Sequence, residues 1–355
     1  MSQPEKVRAV VWGAGGYVGG ELLRLVVTHP ALELTAALSA THGGRSVGKV
    51  HPSLAPWTDL AFSAPNDWDW NLLAEGPWAV FASLAHGETM AALPPLLNRL
   101  ADADVRWVDL SGDFRLKSAA DYTRFYGRTH ASSGMLGRFA YGLPELNRER
   151  ITGTRLVANP GCFATGAQLA ILPAAAAKVP LVALAIDGKT GSSGAGVTPR
   201  ETTHHPNRAN NFRAYKVLEH QHFPEILAGF HAAGGSEAVE VSFAPQMAPM
   251  VRGIFTTAHL FLEEPVPAAT VRGWYESFYA GHPFVRLVED SPGVADVWGT
   301  NRCDISLTVS GRRVVVCTAI DNLVKGAAGQ AIQNANLMHG WAETTGLTTP
   351  APFPV

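Results

Sequence analysis

The sequence predicts an α/β chain in two parts, a doubly wound parallel sheet followed by an α+β domain of mainly antiparallel strands. Three observations carry this. Short apolar runs alternate with helical periodicity over roughly the first 160 residues. A glycine-rich turn joins the first apolar run to the first helix. From Leu181 onward, strand-like runs follow one another in the manner of an antiparallel sheet. The length of 355 residues suits two domains at about 150 residues each.

Val7–Trp12 is an apolar run suited to a buried parallel strand, and Glu21–Thr28 has the helical repeat that begins the return. Leu32–Leu38, Trp78–Leu84 and Val105–Leu110 read as further strands, with a helix over Thr89–Leu100. A helix is expected to follow Cys162 to about Ala177. Leu169–Ile186 is nearly all apolar over about the length of a membrane span. Pro173, Lys178 and Pro180 divide it into helix, break and strand, so no membrane segment is expected. Strands follow at Leu181–Ile186, Val239–Pro245, Gly253–Leu262, Asp304–Val309 and Val314–Ile320, with a helix at Thr270–Tyr279. Thr190–Arg213 has little periodicity and reads as a long loop, a kind often functional. The last periodic helix, Leu323–Leu337, carries Gly326, Ala327, Ala328 and Gly329, which permit close packing on another element.

Composition excludes several functions. The 28 Lys+Arg and 30 Asp+Glu residues give a net charge of −2, without the cationic excess a nucleic-acid backbone requires. Apolar residues at 46% fit a large core rather than a disordered chain. The three cysteines, Cys162, Cys303 and Cys317, form neither a disulfide framework nor a metal-type spacing, and no metal is expected. The opening residues, Met-Ser-Gln-Pro-Glu-Lys-Val, hold no apolar signal core, so a cytoplasmic location is expected. A small molecule is the expected partner.

The turn Gly13-Ala14-Gly15-Gly16-Tyr17-Val18-Gly19 follows the first strand and opens the first helix. Its frame is Gly13-x-x-Gly16-x-x-Gly19, since Val18 stands where the usual dinucleotide spacing needs a glycine. Residues without Cβ let a phosphate approach backbone N–H groups at a positive helix end, as in a Rossmann-type domain. After the second strand an Asp or Glu normally binds the adenosine ribose 2′-hydroxyl. Here the run is Leu38-Ser39-Ala40-Thr41-His42-Gly43-Gly44-Arg45, with no acid. The hydroxyls of Ser39 and Thr41 and the cation of Arg45 suit a 2′-phosphate, which favours NADP(H). The plainer alternative is a loop of solvated polar residues.

Asn159-Pro160-Gly161-Cys162 places a cysteine at a helix start, where unpaired N–H groups and the helix dipole stabilise a thiolate. Cys303 and Cys317 lie in apolar strand patterns and read as core. A thiolate nucleophile needs an acid/base. Among 13 histidines, His220 and His222 stand out, because they precede a helix start at Pro224 that would fix their orientation. Either is an even candidate. His29, His51, His231 and His282 read as capping, packing or surface residues.

Taken in order, these runs resemble the N-acetyl-gamma-glutamyl-phosphate reductase family, NADP-dependent acyl-phosphate reductases of arginine biosynthesis. The resemblance spans nearly the whole chain. It includes Gly13–Gly19 with Glu21–Leu25, His51-Pro52, Ser83–Gly87, Asp109–Leu116, Tyr141–Leu146 and Asn159–Cys162. It continues through Gly191–Gly196, His220–Ile226, Pro249–Ile254 and Ala319–Gly326. It implies a semialdehyde-dehydrogenase-like fold in which Cys162 matches the nucleophile and His220 the acid/base. Ser192, Gly194, Ala195 and Gly196 would approach the nicotinamide side, and Asn322 would join the cofactor set. Asn159 and His222 would face the substrate. Arg115 and Arg252 are candidates for binding phosphate or carboxylate, since a guanidinium fork suits either anion, with a structural ion pair as the alternative. Gly112, Val197 and Gln221 depart from the family's usual Ala, Arg and Arg.

The implied domains are 1–160 for NADP, 161–320 for catalysis and dimerisation, and 321–355 for a C-terminal helix returning to the first. The implied reaction is attack of Cys162 on an acyl phosphate, thioester formation, hydride transfer and aldehyde release. Related reductases of carrier-protein-bound aminoadipyl or glutamyl phosphate are a competing reading. Aspartate-semialdehyde dehydrogenase fits the later runs less well, and a non-catalytic NADP-sensing module is the alternative outside enzymes. A homodimer or homotetramer is expected, with Val239–Leu262 and Asp304–Ile320 offering apolar strand for the interface.

Overall fold

The computed structural model describes residues 6–354. Met1–Glu5, read above for a signal core, and Val355 lie outside the described residues. The chain divides into two compact units. One runs to Pro160 and includes Ala327–Thr348; the other is Gly161–Gly326 with the segment from Thr349. The boundary expected after Ile320 therefore falls after Gly326. Polar tethers hold the intervening residues in the second unit: Asp321 accepts the Gly299 N–H at 2.7 Å, and Asn322 accepts the Gly253 N–H at 2.7 Å.

The first unit is built on a six-stranded parallel sheet of β1 (Val7–Trp12), β2 (Leu32–Leu38), β3 (Trp78–Ala82), β4 (Val105–Asp109), β5 (Ala140–Tyr141) and β6 (Leu156–Ala158). The spatial order is β2-β1-β3-β4-β6-β5. β3 is buried along its length, which explains its unbroken apolar sequence. The order reverses at β1, whose neighbours are β2 and β3, and the crevice at such a reversal is where open α/β sheets bind ligands. The helix Tyr17–Val27 starts earlier than the periodicity suggests, because Gly19 and Gly20 hide its first turn. It buries Leu22, Leu23, Leu25 and Val26. The helix Gly329–Met338 is buried throughout and packs on Tyr17–Val27 and on Pro144–Thr152.

The second unit holds a seven-stranded mixed sheet. Its strands are β7 (Leu181–Thr190), β8 (Arg213–Ala214), β9 (Glu240–Met247), β10 (Ile254–Leu262), β11 (Val285–Leu287), β12 (Cys303–Ser310) and β13 (Arg313–Ile320). The order is β11-β12-β13-β10-β7-β9-β8, with only the β7–β9 and β11–β12 pairs parallel. The helix Cys162–Ala176 lies on β10 and β13 beside the helices Phe223–Ala232 and Ala268–Phe278. It is buried from Phe163 to Ala175, as expected of a helix apolar on every face. Lys178, at φ 51°, ends the run. No described helix is long and apolar enough to cross a membrane.

β7 outruns its expected end at Ile186, because Gly188 lets Phe163 and Phe243 pack against the strand. The other sheet face carries Phe255, Thr257, His259 and Phe261 on β10 opposite Ala319, Cys317, Val315 and Arg313 on β13. These side chains are half-buried or exposed, apart from buried Ala319. Cys317 sits on this face rather than in the core. The loop after β7 is broken by short turns at Ser192–Ala195, Glu201–Thr203 and His205–Arg208.

Candidate active site

The candidate residues form two groups, one within each unit. In the first unit the chain leaves β1 through Gly13, at φ +86°, and enters the helix whose N-cap is Gly16. A side chain at position 13 would strike the Ser83 carbonyl beyond β3, so the turn is pressed into the point where the strand order reverses. Gly16 faces open space, with the Gly13 carbonyl oxygen 3.8 Å from where a Cβ would stand. No side chain caps this helix and no acid stands in its first turn, where Tyr17 is exposed and Val18 half-buried. Such a helix start attracts an anion through its free amides and dipole. His51 steadies the turn from behind by donating from Nε2 to the Ala14 carbonyl at 2.9 Å.

Beside Gly15 lies a small polar cluster at the end of β2. Ser39 Oγ is 3.4 Å from Thr41 Oγ1 and 3.2 Å from His42 Nδ1. Thr41 Oγ1 is 2.8 Å from the same nitrogen. Arg45, exposed, follows on the loop, its N–H bonded to the His42 carbonyl. Hydroxyls, an imidazole and a cation thus occupy the region where a carboxylate would select a free ribose 2′-hydroxyl. Open Gly16, the tight Gly13 turn and this cluster fit a phosphorylated dinucleotide. His42 was passed over in the sequence because an imidazole in a polar loop carries no distinct signal.

Arg115 and Asn159 also meet in this unit. Arg115 donates from Nε to the Asn159 carbonyl at 2.7 Å and from Nη2 to the Leu110 carbonyl at 2.8 Å. Asn159 is buried; its Nδ2 donates to the Ala327 carbonyl at 3.1 Å, and its Oδ1 accepts from Asn334 at 3.0 Å. Nearby, His86 is pushed down to about 4, by burial first and by the Arg115 charge second. Burial raises the Asp109 carboxyl to about 6.

In the second unit, Cys162 is the first residue of its helix, behind N-cap Gly161, and no side chain caps that end. The first-turn amides and dipole therefore act on the thiol and on whatever it binds. The helix Phe223–Ala232 brings the paired histidines here. The His222 ring lies against Gly161 so closely that a Cβ there would overlap it. The His220 ring is 5.3 Å from Phe163 and 4.7 Å from His222, and both histidines are buried. His220 Nδ1 accepts the His222 backbone N–H at 3.1 Å, which places the proton of a neutral His220 on Nε2.

Four further neighbours are not marked by the sequence as parts of this site. Glu225 is buried and accepts the Gly161 N–H at 3.0 Å. The Tyr215 ring is 5.6 Å from His220, and its phenol is pushed up by burial first and by the Cys162 charge second. Gly326, in a π-helical turn at Val324–Ala328, faces Cys162; a Cβ would stand 2.8 Å from the cysteine Cβ. Arg208, on the loop, acts on the same phenol. All are local residues whose meeting depends on the tertiary fold.

The remaining candidates act around this group. The Ser192–Ala195 turn is fixed from below by Asn322, which donates to Ser193 Oγ at 3.0 Å while its Oδ1 holds the Gly253 N–H. Gly194, Ala195 and Gly196 are exposed above it and Ser192 is half-buried. Arg252 is paired with the fully buried Asp321 at 2.9 Å. Among the described residues no group of His, Cys, Asp and Glu could hold a metal ion.

Comparison with known proteins gives consistent findings. Residues 8–154 match the family model "Semialdehyde dehydrogenase, NAD binding domain", and 162–322 match "Semialdehyde dehydrogenase, dimerisation domain". The N-acetyl-gamma-glutamyl-phosphate reductase of Methanosarcina acetivorans is 44% identical over 344 residues, covering 96% of this chain and 98% of that protein. The reductase of Methanopyrus kandleri is 43% identical over 347 residues, with the same coverage of 96% and 98%. Among solved structures, aspartate semialdehyde dehydrogenase II from Vibrio cholerae superposes with a TM-score of 0.71 at 17% identity, over 95% of this chain and 99% of that one. The Candida albicans aspartate semialdehyde dehydrogenase solved with NADP gives 0.65 at 14%, over 94% and 99%. At those identities the structures speak for the fold alone.

Proposed function

The chain belongs to the N-acetyl-gamma-glutamyl-phosphate reductase family, and from that premise we propose how its residues carry the reaction. It is an NADPH-dependent oxidoreductase that converts N-acetyl-gamma-glutamyl phosphate to N-acetylglutamate semialdehyde and phosphate, a step of arginine biosynthesis. The observation that carries this reading is Cys162 at an uncapped helix start with the Nδ1-anchored His220 in the same group.

The Cys162 thiolate, stabilised by the helix start, attacks the acyl carbon, and the C–O bond to phosphate breaks to leave a thioester. First-turn amides of the cysteine helix take the charge that develops on the carbonyl oxygen. His220 donates a hydrogen bond from Nε2–H to the oxygen of the departing phosphate, and the one proton the overall reduction consumes is taken up from solvent by that phosphate. Gly13–Gly19 would hold the dinucleotide pyrophosphate, and Ser39, Thr41 and Arg45 would take its 2′-phosphate. NADPH, when bound, supplies the hydride. The Ser192–Gly196 turn, braced by Asn322, is assigned to the nicotinamide side. Collapse of the thiohemiacetal on Cys162 releases the aldehyde and restores the thiolate.

The half-buried sheet face of β10 and β13 supports homo-oligomerisation, and the matching dimerisation-domain model points the same way. A sparse cysteine set without a disulfide framework accords with a reducing cytoplasm. The assay is phosphate-dependent reduction of NADP+ by N-acetylglutamate semialdehyde, run beside the carrier-linked aldehyde. Turnover is expected with the free acetylated aldehyde. Preference for the carrier-linked one would move the enzyme to that branch, and turnover with neither would overturn the reading.

A further inference from the structure

Arg208 closes the short turn His205–Arg208 in the loop after β7 and is only 9% exposed. Its Nη2 donates to the carbonyls of Thr190 and Ala248, each at 3.0 Å. Those carbonyls mark the end of β7 and the residue just beyond β9, where Gly191 begins the turn toward Ser192–Ala195. Arg208 Nε is buried and has no acceptor. The titratable groups that act on the guanidinium are the Tyr215 phenol and a second cation, Arg213, with no carboxylate among them.

A cation withdrawn from water without a counter-anion is costly, and a neutral amide could strap two carbonyls without that cost. The missing partner is an anion. Its place is indicated by Tyr215, which follows β8, the strand paired with β9 just before the Ala248 carbonyl that Arg208 holds, and whose ring stands 5.6 Å from His220 of the Cys162 group. Arg252, by contrast, already has a counter-anion in the buried Asp321 carboxylate at 2.9 Å.

We propose that Arg208 anchors the anionic end of the substrate: its guanidinium receives an oxyanion, carboxylate or phosphoryl, and so seats the acyl carbon beside Cys162. This rests on the acyl-phosphate reading of the same site. Arg208 is a binding residue that sets specificity for an anionic acyl chain.

The test uses the full chain with R208Q and R208K, followed in the aldehyde-oxidising direction with phosphate and NADP+. R208Q is expected to raise the KM for phosphate or for the aldehyde about ten-fold or more, the scale of a lost charge-assisted bond, with the KM for NADP+ unchanged. A rise for phosphate identifies the phosphoryl group as the anion; a rise for the aldehyde identifies the carboxylate. R208K, which keeps the charge but loses the planar fork, is expected to fall between, and it decides the matter where R208Q does not fold. Both KM values unchanged, or a loss of kcat that merely follows a fall in Tm, would overturn the proposal. A second arm needs no turnover. NMR of inorganic phosphate and of N-acetylglutamate with the NADP+-loaded protein is expected to show one of them binding to the parent and released in the variants. Should the parent bind such an anion yet turn nothing over, the acyl-phosphate reading fails while the anion site stands; equal binding by parent and variants refutes the site.

Discussion

Substituting Gly326 by alanine tests the geometry around the thiol. The added Cβ would stand 2.8 Å from Cys162 Cβ and 3.3 Å from its Cα. Carbon atoms in contact prefer about 3.5–4.0 Å, so the cysteine or the π-helical turn must retreat by about 1 Å. Overpacking of this kind costs about 1–3 kcal/mol, or a few degrees of Tm in a unit of this size. A nucleophile misplaced by about 1 Å loses on the order of 100-fold in rate. G326A is therefore expected to fold, to melt a few degrees lower, and to lose about 30- to 100-fold in kcat. Its affinity for NADPH should stay unchanged, because the dinucleotide turn belongs to the other unit. Steady-state kinetics, iodoacetamide labelling of Cys162 and NADPH fluorescence titration read these separately. A variant with parental kcat and parental labelling would refute the idea that Gly326 is kept small for the thiol.

Three further outcomes are expected. Arg45→Ala should raise the KM for NADPH about five-fold while leaving that for NADH unchanged, as an exposed phosphate contact warrants; equal effects on both would remove Arg45 from the 2′-phosphate site. His220→Asn should lower kcat by about 100-fold or more at constant NADPH affinity, and a smaller loss would shift the leaving-group role elsewhere. The first unit should lose stability on acidification. His86 and His339, each pushed down to about 4 mainly by burial, stay neutral in the fold while the unfolded chain protonates near 6.5. The unfolded state therefore gains protons first, and stability drains as pH falls from about 6.5 to about 4. Asp109, raised to about 6, opposes this by binding its proton in the fold first, so the net loss is of the order of two to three kcal/mol. Urea titrations at several pH values check it, with His339→Gln expected to flatten the slope and a pH-independent midpoint contradicting it.

The parallel strands were readable because burial on both faces leaves apolar runs with little alternation, as at Trp78–Ala82. β5 and β6 were missed, since two- and three-residue strands have no period to detect. β7 ran past its expected end because Asp187, Gly188 and Lys189 interrupt the apolar run, whereas Gly188 serves the packing of Phe163. Cys162 stood out through its helix-start context and Gly13–Gly19 through their place after a strand, both local properties. The small residues Gly326–Gly329 signalled close packing, but only the fold supplies Cys162 as the neighbour of Gly326. Tyr215, Glu225 and Arg208 depend wholly on such distant meetings: a lone Arg in a polar loop looks solvated until its burial is seen. Asn322 was legible as part of a run, yet its work as a brace beneath Ser193 is a matter of hydrogen bonds.

The proposed reaction turns on a covalent bond to Cys162, and intact-mass analysis of the protein mixed with N-acetyl-gamma-glutamyl phosphate in the absence of NADPH tests it directly. One acyl group per chain on Cys162, released phosphate in equal amount and no adduct on Cys162→Ser are expected. An unmodified protein, or an acyl group that still forms in the serine variant, would contradict it.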